Sequence, residues 1–179
     1  MLLYIKEILR EGEKMNYCDQ CGEKLIYKEN GIDGKVPFCP HCQQFKFPAF
    51  NSAISAIVFN PDKDKILLIQ QYGKPYHVLV AGYINKGENA KEALVREIKE
   101  ETGLSVVSYV YNDNEYYSKS NTLIHNYAVR VETEDFQLTD EVDDAKWYGL
   151  DEVLDTIKPD SLAKSFLQRF LAKLWDVSK

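Results

Sequence analysis

The chain is organised around Gly82-Tyr83-Ile84-Asn85-Lys86-Gly87-Glu88 and the segment ending Arg96-Glu97-Ile98-Lys99-Glu100-Glu101-Thr102-Gly103-Leu104. The pattern is glycine, five residues, glutamate, seven residues, then Arg-Glu-Ile-x-Glu-Glu-x-Gly-Leu. Asn89 is a natural helix cap, with Glu92 three residues on as a capping box requires. Gly103 supplies the C-terminal stop. Between these ends Ala90, Leu94 and Ile98 recur at four-residue spacing and predict one core-facing stripe. Glu97, Glu100 and Glu101 stand at i,i+3 and i,i+4, so their carboxylates gather on one flank. Three crowded carboxylates repel unless a cation or a proton offsets them, and hard oxygen donors favour Mg²⁺ or Mn²⁺. An acidic run is ordinarily a solvated helix face. Glycines at both ends and a filled residue at every fixed position argue against that here.

This stretch, residues 82–104, resembles the Nudix box, the signature of hydrolases that cleave nucleoside diphosphates linked to another moiety. The resemblance implies an α/β fold, the Nudix α/β/α sandwich with a mixed sheet. It also implies a metal-dependent pyrophosphatase.

Composition sets the bounds. The chain has 179 residues, 45% hydrophobic and 12% aromatic, enough for a packed core. Its net charge of −6 offers no general polyanion-binding surface. No run is long and apolar enough to span a membrane, and residues 1–5 are too short for a secretory signal. The expected setting is therefore cytoplasmic. Leu2, Ile5, Ile8 and Leu9 fit one amphipathic face, while Met15 offers a second start to the chain. Residues 1–14 are accordingly read as an N-terminal extension that is peripheral or mediates contacts.

All four cysteines lie close together, as Cys18-x2-Cys21, seventeen residues, then Cys39-x2-Cys42. Two such pairs read as a closed, structural Zn²⁺ site. Leu25-Ile26-Tyr27, the Asn30-Gly31 turn and Val36-Pro37-Phe38 predict a hairpin between them, hence a zinc ribbon over residues 15–46. Disulfides do not suit a chain without a secretion signal. His41 is read as a bystander. Lys24, Lys28, Lys35 and Lys46 are diluted by acidic neighbours, so stability or a dimer contact ranks above nucleic-acid binding.

Residues 47–179 are assigned to the Nudix domain. Strands are predicted over 51–59, 65–70, 77–81, 104–111 and 122–131, with Asn112-Asp113-Asn114 as a break. Lys146-Trp147-Tyr148 is a short last strand and Asp151 begins a short helix. A final helix over 161–175 is expected to bury Leu162, Phe166, Leu167, Phe170, Leu171 and Leu174.

A ribbon directly before such a domain resembles the NADH pyrophosphatase branch of the superfamily. Further likenesses are Lys46-Phe47-Pro48 with Ser52-Ala53-Ile54, Ala81-Gly82-Tyr83, residues 140–148 ending Trp147-Tyr148, and Ser161-Leu162-Ala163. Ala49 stands at the arginine position of the first of these, and one larger departure matters. The branch motif Ser-Gln-Pro-Trp-Pro-Phe-Pro-x-Ser-Leu-Met falls on residues 114–124, where only Leu123-Ile124 matches and Tyr117 takes the tryptophan position. Without the prolines the rigid specificity loop is expected to be absent. NAD(H), ADP-ribose and other nucleoside diphosphate derivatives all stay open as the small-molecule substrate.

By carry-over of the box, Glu97 and Glu101 are the metal ligands, Glu100 assists, and the Gly82 carbonyl adds a donor. Arg96 orients the carboxylates, with Glu92 a further partner for it, and Glu88 ties the loop to the helix. Glu141 is the outer metal ligand that the branch implies. Tyr83, and with less support Tyr117, would stack on a base; core packing is the competing role for Tyr83. The resemblance also implies a homodimer. Two other classes stand beside the enzyme on free nucleotides: a non-catalytic ligand sensor or nucleic-acid adaptor, and removal of a nucleotide cap from RNA. Retention of Glu97, Glu100 and Glu101 favours an enzyme.

Overall fold

The computed structural model describes residues 16–177. The readings on residues 1–14 and on Met15 lie outside them. The chain divides after Ala49 into two compact units, the second beginning at Phe50.

The first unit is a three-stranded antiparallel sheet, β1 (Ile26–Glu29), β2 (Lys35–Cys39) and β3 (Gln44–Phe45), in the order β1-β2-β3. The expected hairpin forms, its turn being a short 3₁₀ segment (Gly31–Asp33) closed by Gly34 in the left-handed region. Among the described residues its buried hydrophobic side chains are Cys18, Leu25, Val36, Phe38 and Cys39, the cluster of Cys18, Leu25 and Cys39 having Cys42 against it. So small a core cannot hold a fold without a staple.

The second unit is built on β4 (Asn51–Phe59), β5 (Lys65–Gln70), β6 (Val80–Tyr83), β7 (Val106–Tyr117), β8 (Thr122–Val131) and β9 (Asp144–Gly149). The order is β7-β8-β4-β5-β9; β4 and β8 are parallel and the other pairs antiparallel, so the sheet is mixed. β8 follows one edge of β4 along its whole length. The other edge is therefore shared, by β6 at residues 53–56 and by β5 at Val58 and Phe59.

Strand alternation sorts the side chains to two cores. Ile54, Ala56, Val58, Leu67 and Ile69 pack on one face against Ala93, Leu94 and Ile98 of α1 (Ala90–Thr102). Ile57, Phe59, Ile66 and Leu68 pack on the other face. There they meet Val153 of α2 (Val153–Thr156) and Leu167 and Leu171 of α3 (Leu162–Val177). The result is the expected α/β/α sandwich. No helix among the described residues is long and apolar enough to cross a membrane.

Several elements differ from expectation. Asn112-Asp113-Asn114 does not end the strand; β7 runs on through it with a register shift between Tyr111 and Asp113. The bulge survives because its asparagine is satisfied inside. Asn112 donates to Asn126 Oδ1 (2.9 Å) and to the Phe166 carbonyl (3.1 Å), and accepts from Lys173 Nζ (2.9 Å). Residues 114–124 accordingly form no proline-like loop but the end of a β7–β8 hairpin, turned at Ser118–Ser120 with Asn121 left-handed. The strand expected at 77–81 begins later, at Val80, and takes in Gly82 and Tyr83; His77 and Val78 make only isolated pairings. α2 starts at Val153 rather than Asp151. Leu174 is exposed rather than buried.

Candidate active site and cysteine cluster

The capping box forms as read: the Asn89 side chain accepts from the N–H groups of Lys91 and Glu92, and Glu92 accepts from the Asn89 N–H. Gly103 closes α1 in the left-handed region. Glu92 is thereby committed to the cap, and it does not pair with Arg96.

Arg96 uses all five of its N–H donors. Nε and Nη2 clamp Glu88 in a bidentate pair (2.8 and 2.9 Å), and Nη2 also reaches the Tyr83 carbonyl (3.0 Å). Nη1 holds Glu97 Oε1 (2.7 Å) and Glu100 Oε2 (2.9 Å). Glu88 in turn accepts from the Asn85 N–H (2.9 Å), closing the loop before the helix. Arg96, with help from the Asn85 N–H, lowers the Glu88 carboxyl to about 2. Both residues therefore make the contacts that the positioning roles read from sequence require.

Gly82 lies against Glu97 more closely than any other residue type allows. A Cβ built on it would stand 1.9 Å from Glu97 Cδ, in the volume of the carboxylate. The glycine is required for space rather than for a left-handed backbone.

Glu97, Glu101, Gly82, Tyr83, Arg96 and Glu141 line one cleft of about 380 Å³, at the start of β4 where β6 lies beside it. Glu101 is 3% exposed, accepts from Gln71 Nε2 on Oε1 (2.8 Å), and leaves Oε2 buried without a hydrogen-bond partner. Burial pushes its carboxyl up, Gln71 partly opposes this, and the charges of Glu97, Glu141 and Glu100 add to it, giving about 7. The influence of Glu141 puts that distant acid at the same site. Glu100 is exposed and turned to Arg96.

These donors fit a divalent cation. A buried orphan oxygen, a hollow that keeps Glu97 against the backbone, and an all-oxygen acidic set together match a hard ion. The carboxylate oxygens line the cleft without closing on a single point. Among the described residues only the four cysteines bring their ligand atoms within 4.8 Å of one another.

Tyr83 is 56% exposed at the cleft, so the core-packing role does not apply. Tyr117 is not in this cleft. It lines a separate groove of about 430 Å³ with Glu115 and the first turns of α3, and none of the α1 acids takes part in it. Sequence reading missed Gln71, Tyr72 and Asp143. Tyr72 lines the cleft, and Asp143 Oδ2 accepts from the Gly73 N–H (2.7 Å). No spacing rule marks them; the Tyr72-Gly73 turn signal was the available hint. His77 bonds to the Tyr148 hydroxyl (3.1 Å), an ordinary packing role.

In the first unit the sulfurs of Cys18 and Cys42 are 3.9 Å apart and those of Cys21 and Cys39 3.5 Å. Four sulfurs around one tetrahedral zinc stand about 3.8 Å apart, given Zn–S bonds of about 2.3 Å. The cluster is therefore compatible with Zn²⁺. At Cys18, burial raises the thiol but the Gln20 and Cys21 N–H groups and the neighbouring thiols outweigh it, lowering it to about 6. Hydrogen bonding to Cys21, burial and the remaining thiols push Cys42 up to about 12. One thiolate thus opposes the next, a conflict that a dication resolves. Gly22 and Gln43 take the left-handed turns after each pair, and His41 stays exposed outside the set.

Comparison with known proteins places these features among relatives. The NUDIX domain family matches residues 49–170. The NAD-capped RNA hydrolase NudC of Pseudomonas aeruginosa is 24% identical over 97% of this chain. The human NAD-capped RNA hydrolase NUDT12 is 27% identical over 85% of it. The chain spans only 62% of the first relative's length and 35% of the second's. Among solved structures, a NUDIX hydrolase from Nitrosomonas europaea superposes with a TM-score of 0.63 at 20% identity, covering 89% of this chain and 92% of that one. The NUDIX domain of Shewanella oneidensis NrtR, complexed with ADP ribose, gives 0.54 at 21% identity, covering 76% and 94%.

Proposed function

Since the chain belongs to the Nudix family, we propose that it is a divalent-cation-dependent pyrophosphatase acting on a nucleoside diphosphate linked to a second moiety, of the NAD(H) or ADP-ribose kind. The observation that carries this reading is the cleft itself, which Glu97, Glu101 and Glu141 all line and where a buried Glu101 oxygen lacks a partner. Water attacks one phosphorus, the P–O bond of the anhydride breaks, and two phosphate monoesters leave. A bound Mg²⁺ or Mn²⁺ would offset the diphosphate charge and raise the nucleophilicity of water. Glu97, Glu101 and Glu141 would hold it, with Glu100 and the Gly82 carbonyl assisting. Arg96 fixes Glu97 and Glu100 in direction, and Glu88 fixes Arg96. Tyr83 presents an exposed ring beside the acids, suited to stacking on the planar end of the substrate. Zn²⁺ on the four cysteines would be structural, and a thiolate site of this kind suits a reducing compartment such as the cytoplasm.

Incubation of the zinc-loaded protein with Mg²⁺ and NADH, NAD⁺, ADP-ribose and dinucleoside polyphosphates tests the reading. AMP with its partner monoester is expected; no monoester from the whole panel would refute it. The names of the relatives support a second reading, hydrolysis of the same bond in an NAD cap on RNA. Release of nicotinamide mononucleotide from NAD-capped RNA at a kcat/KM above that for free NAD⁺ would favour it. The net charge of −6 favours the free dinucleotide.

A further inference from the structure

The turn after β5 is tied by one contact to Glu101 and by two to Asp143, in the segment that carries Glu141. Gln71 Nε2 donates to Glu101 Oε1 (2.8 Å). Asp143 Oδ2 accepts from the Gly73 N–H (2.7 Å), and the Asp143 N–H donates to the Gln70 carbonyl (2.9 Å). Glu141 lies two residues before Asp143. Between the anchors Tyr72 holds φ +57°, a region that aromatic residues seldom enter. The turn is thus a specified backbone, not a slack connection.

Glu101 supplies the independent sign of a ligand. It is 3% exposed and lines the cleft, one oxygen is occupied by Gln71, and the other is buried with no partner. A buried carboxylate oxygen left unpaired is costly, and a cation removes that cost.

The geometry points to a positioning bridge: Gln71 and Asp143 hold Glu101 and Glu141 as a matched pair of donors for one divalent cation. Gln71 occupies Oε1 and leaves Oε2 as the donor. Asp143 pins the loop that carries Glu141 to the end of β5. Neither touches the substrate. The inference rests on the divalent-cation reading of the cleft, and it goes beyond that reading by assigning the residues that set the site's shape.

The test is Mn²⁺ affinity, read by electron paramagnetic resonance on zinc-loaded protein without substrate. Gln71→Met and Asp143→Ala are each expected to weaken Mn²⁺ binding about 10- to 100-fold, the usual effect of losing a group that orients a ligand. Asp143→Ala should add no further loss in a Glu141→Gln background, and Gln71→Met should lose no more than Glu101→Gln. Gln71→Asn, which withdraws the amide by one methylene, carries the same expectation if Gln71→Met does not fold. Wild-type affinity in the folded variants would overturn the bridge, as would a loss from Asp143→Ala that persists without Glu141. A wild-type protein that binds no Mn²⁺ would instead overturn the cation reading itself, and the bridge with it.

Discussion

At the scale of single residues, steric room and charge balance decide the cleft. Gly82 leaves the volume that Glu97 fills, so Gly82→Ala must displace the carboxylate. A displacement of about 1 Å at a reacting centre costs on the order of 100-fold in rate. We expect a kcat loss of that order with a nearly unchanged urea midpoint; full activity would show that Glu97 need not lie on the β6 backbone. Glu88 and Glu101 predict opposite responses to pH. Glu88 is lowered from 4.5 to about 2, so its pairing stabilises the fold above the ordinary carboxylate range and is lost as pH falls from about 4.5 towards 2. Glu88→Gln should reduce that acid-side decline, as followed by far-UV circular dichroism, with Asp19 and Glu134, also lowered by their partners, supplying the rest. Glu101 is raised from 4.5 to about 7, so the contribution of its neutral form is present below about 4.5 and is lost as pH rises through 7. In zinc-loaded protein without added Mg²⁺ or Mn²⁺, we expect stability to fall by roughly 3 kcal/mol across that window. Glu101→Gln or saturating Mg²⁺ should flatten the slope. A wild-type curve unchanged by either would argue against a buried titrating acid.

At the scale of elements, what could be read from spacing formed as read. α1 begins at the Asn89–Glu92 box and ends at Gly103 because caps act over three or four residues and need no distant partner. Asn89→Ala should cost about 1 kcal/mol in chemical denaturation; a change near zero would mean that tertiary packing alone defines the helix start. β7 shows where such reading stops. Asn112-Asp113-Asn114 carries a break signal, yet the strand passes through it because Asn126, Phe166 and Lys173, all remote in sequence, satisfy Asn112. The bulge also explains Tyr117. Tyr111 pairs with Tyr127 on the α1 side, whereas beyond the shift Tyr117 pairs with Thr122, five residues from Tyr127 and so on the opposite face. Counting along the sequence cannot reveal a one-residue inversion of that kind.

At the scale of the molecule, the two units differ in what holds them. The sheet and its helices bury two extensive apolar layers, while the cysteine unit buries, beside its sulfurs, only Leu25, Val36 and Phe38 among its described hydrophobic residues. Removal of zinc by a chelator, or Cys39→Ser, should expose residues 16–49 to limited proteolysis while the unit that begins at Phe50 stays resistant. Survival of the cysteine unit without zinc would disprove this dependence. The sequence by itself determined the capped acidic helix, the glycine before it, the alternating strands and the paired cysteine knuckles. Each of these is governed by interactions that repeat within a few residues. The tertiary structure alone decided that Gln71 meets Glu101, that Tyr72 joins the cleft, that Asp143 ties to the turn after β5 and that Tyr117 leaves the helix acids. That outcome depends on strand register and on a bulge, and register is set by the packing of whole elements rather than by local spacing.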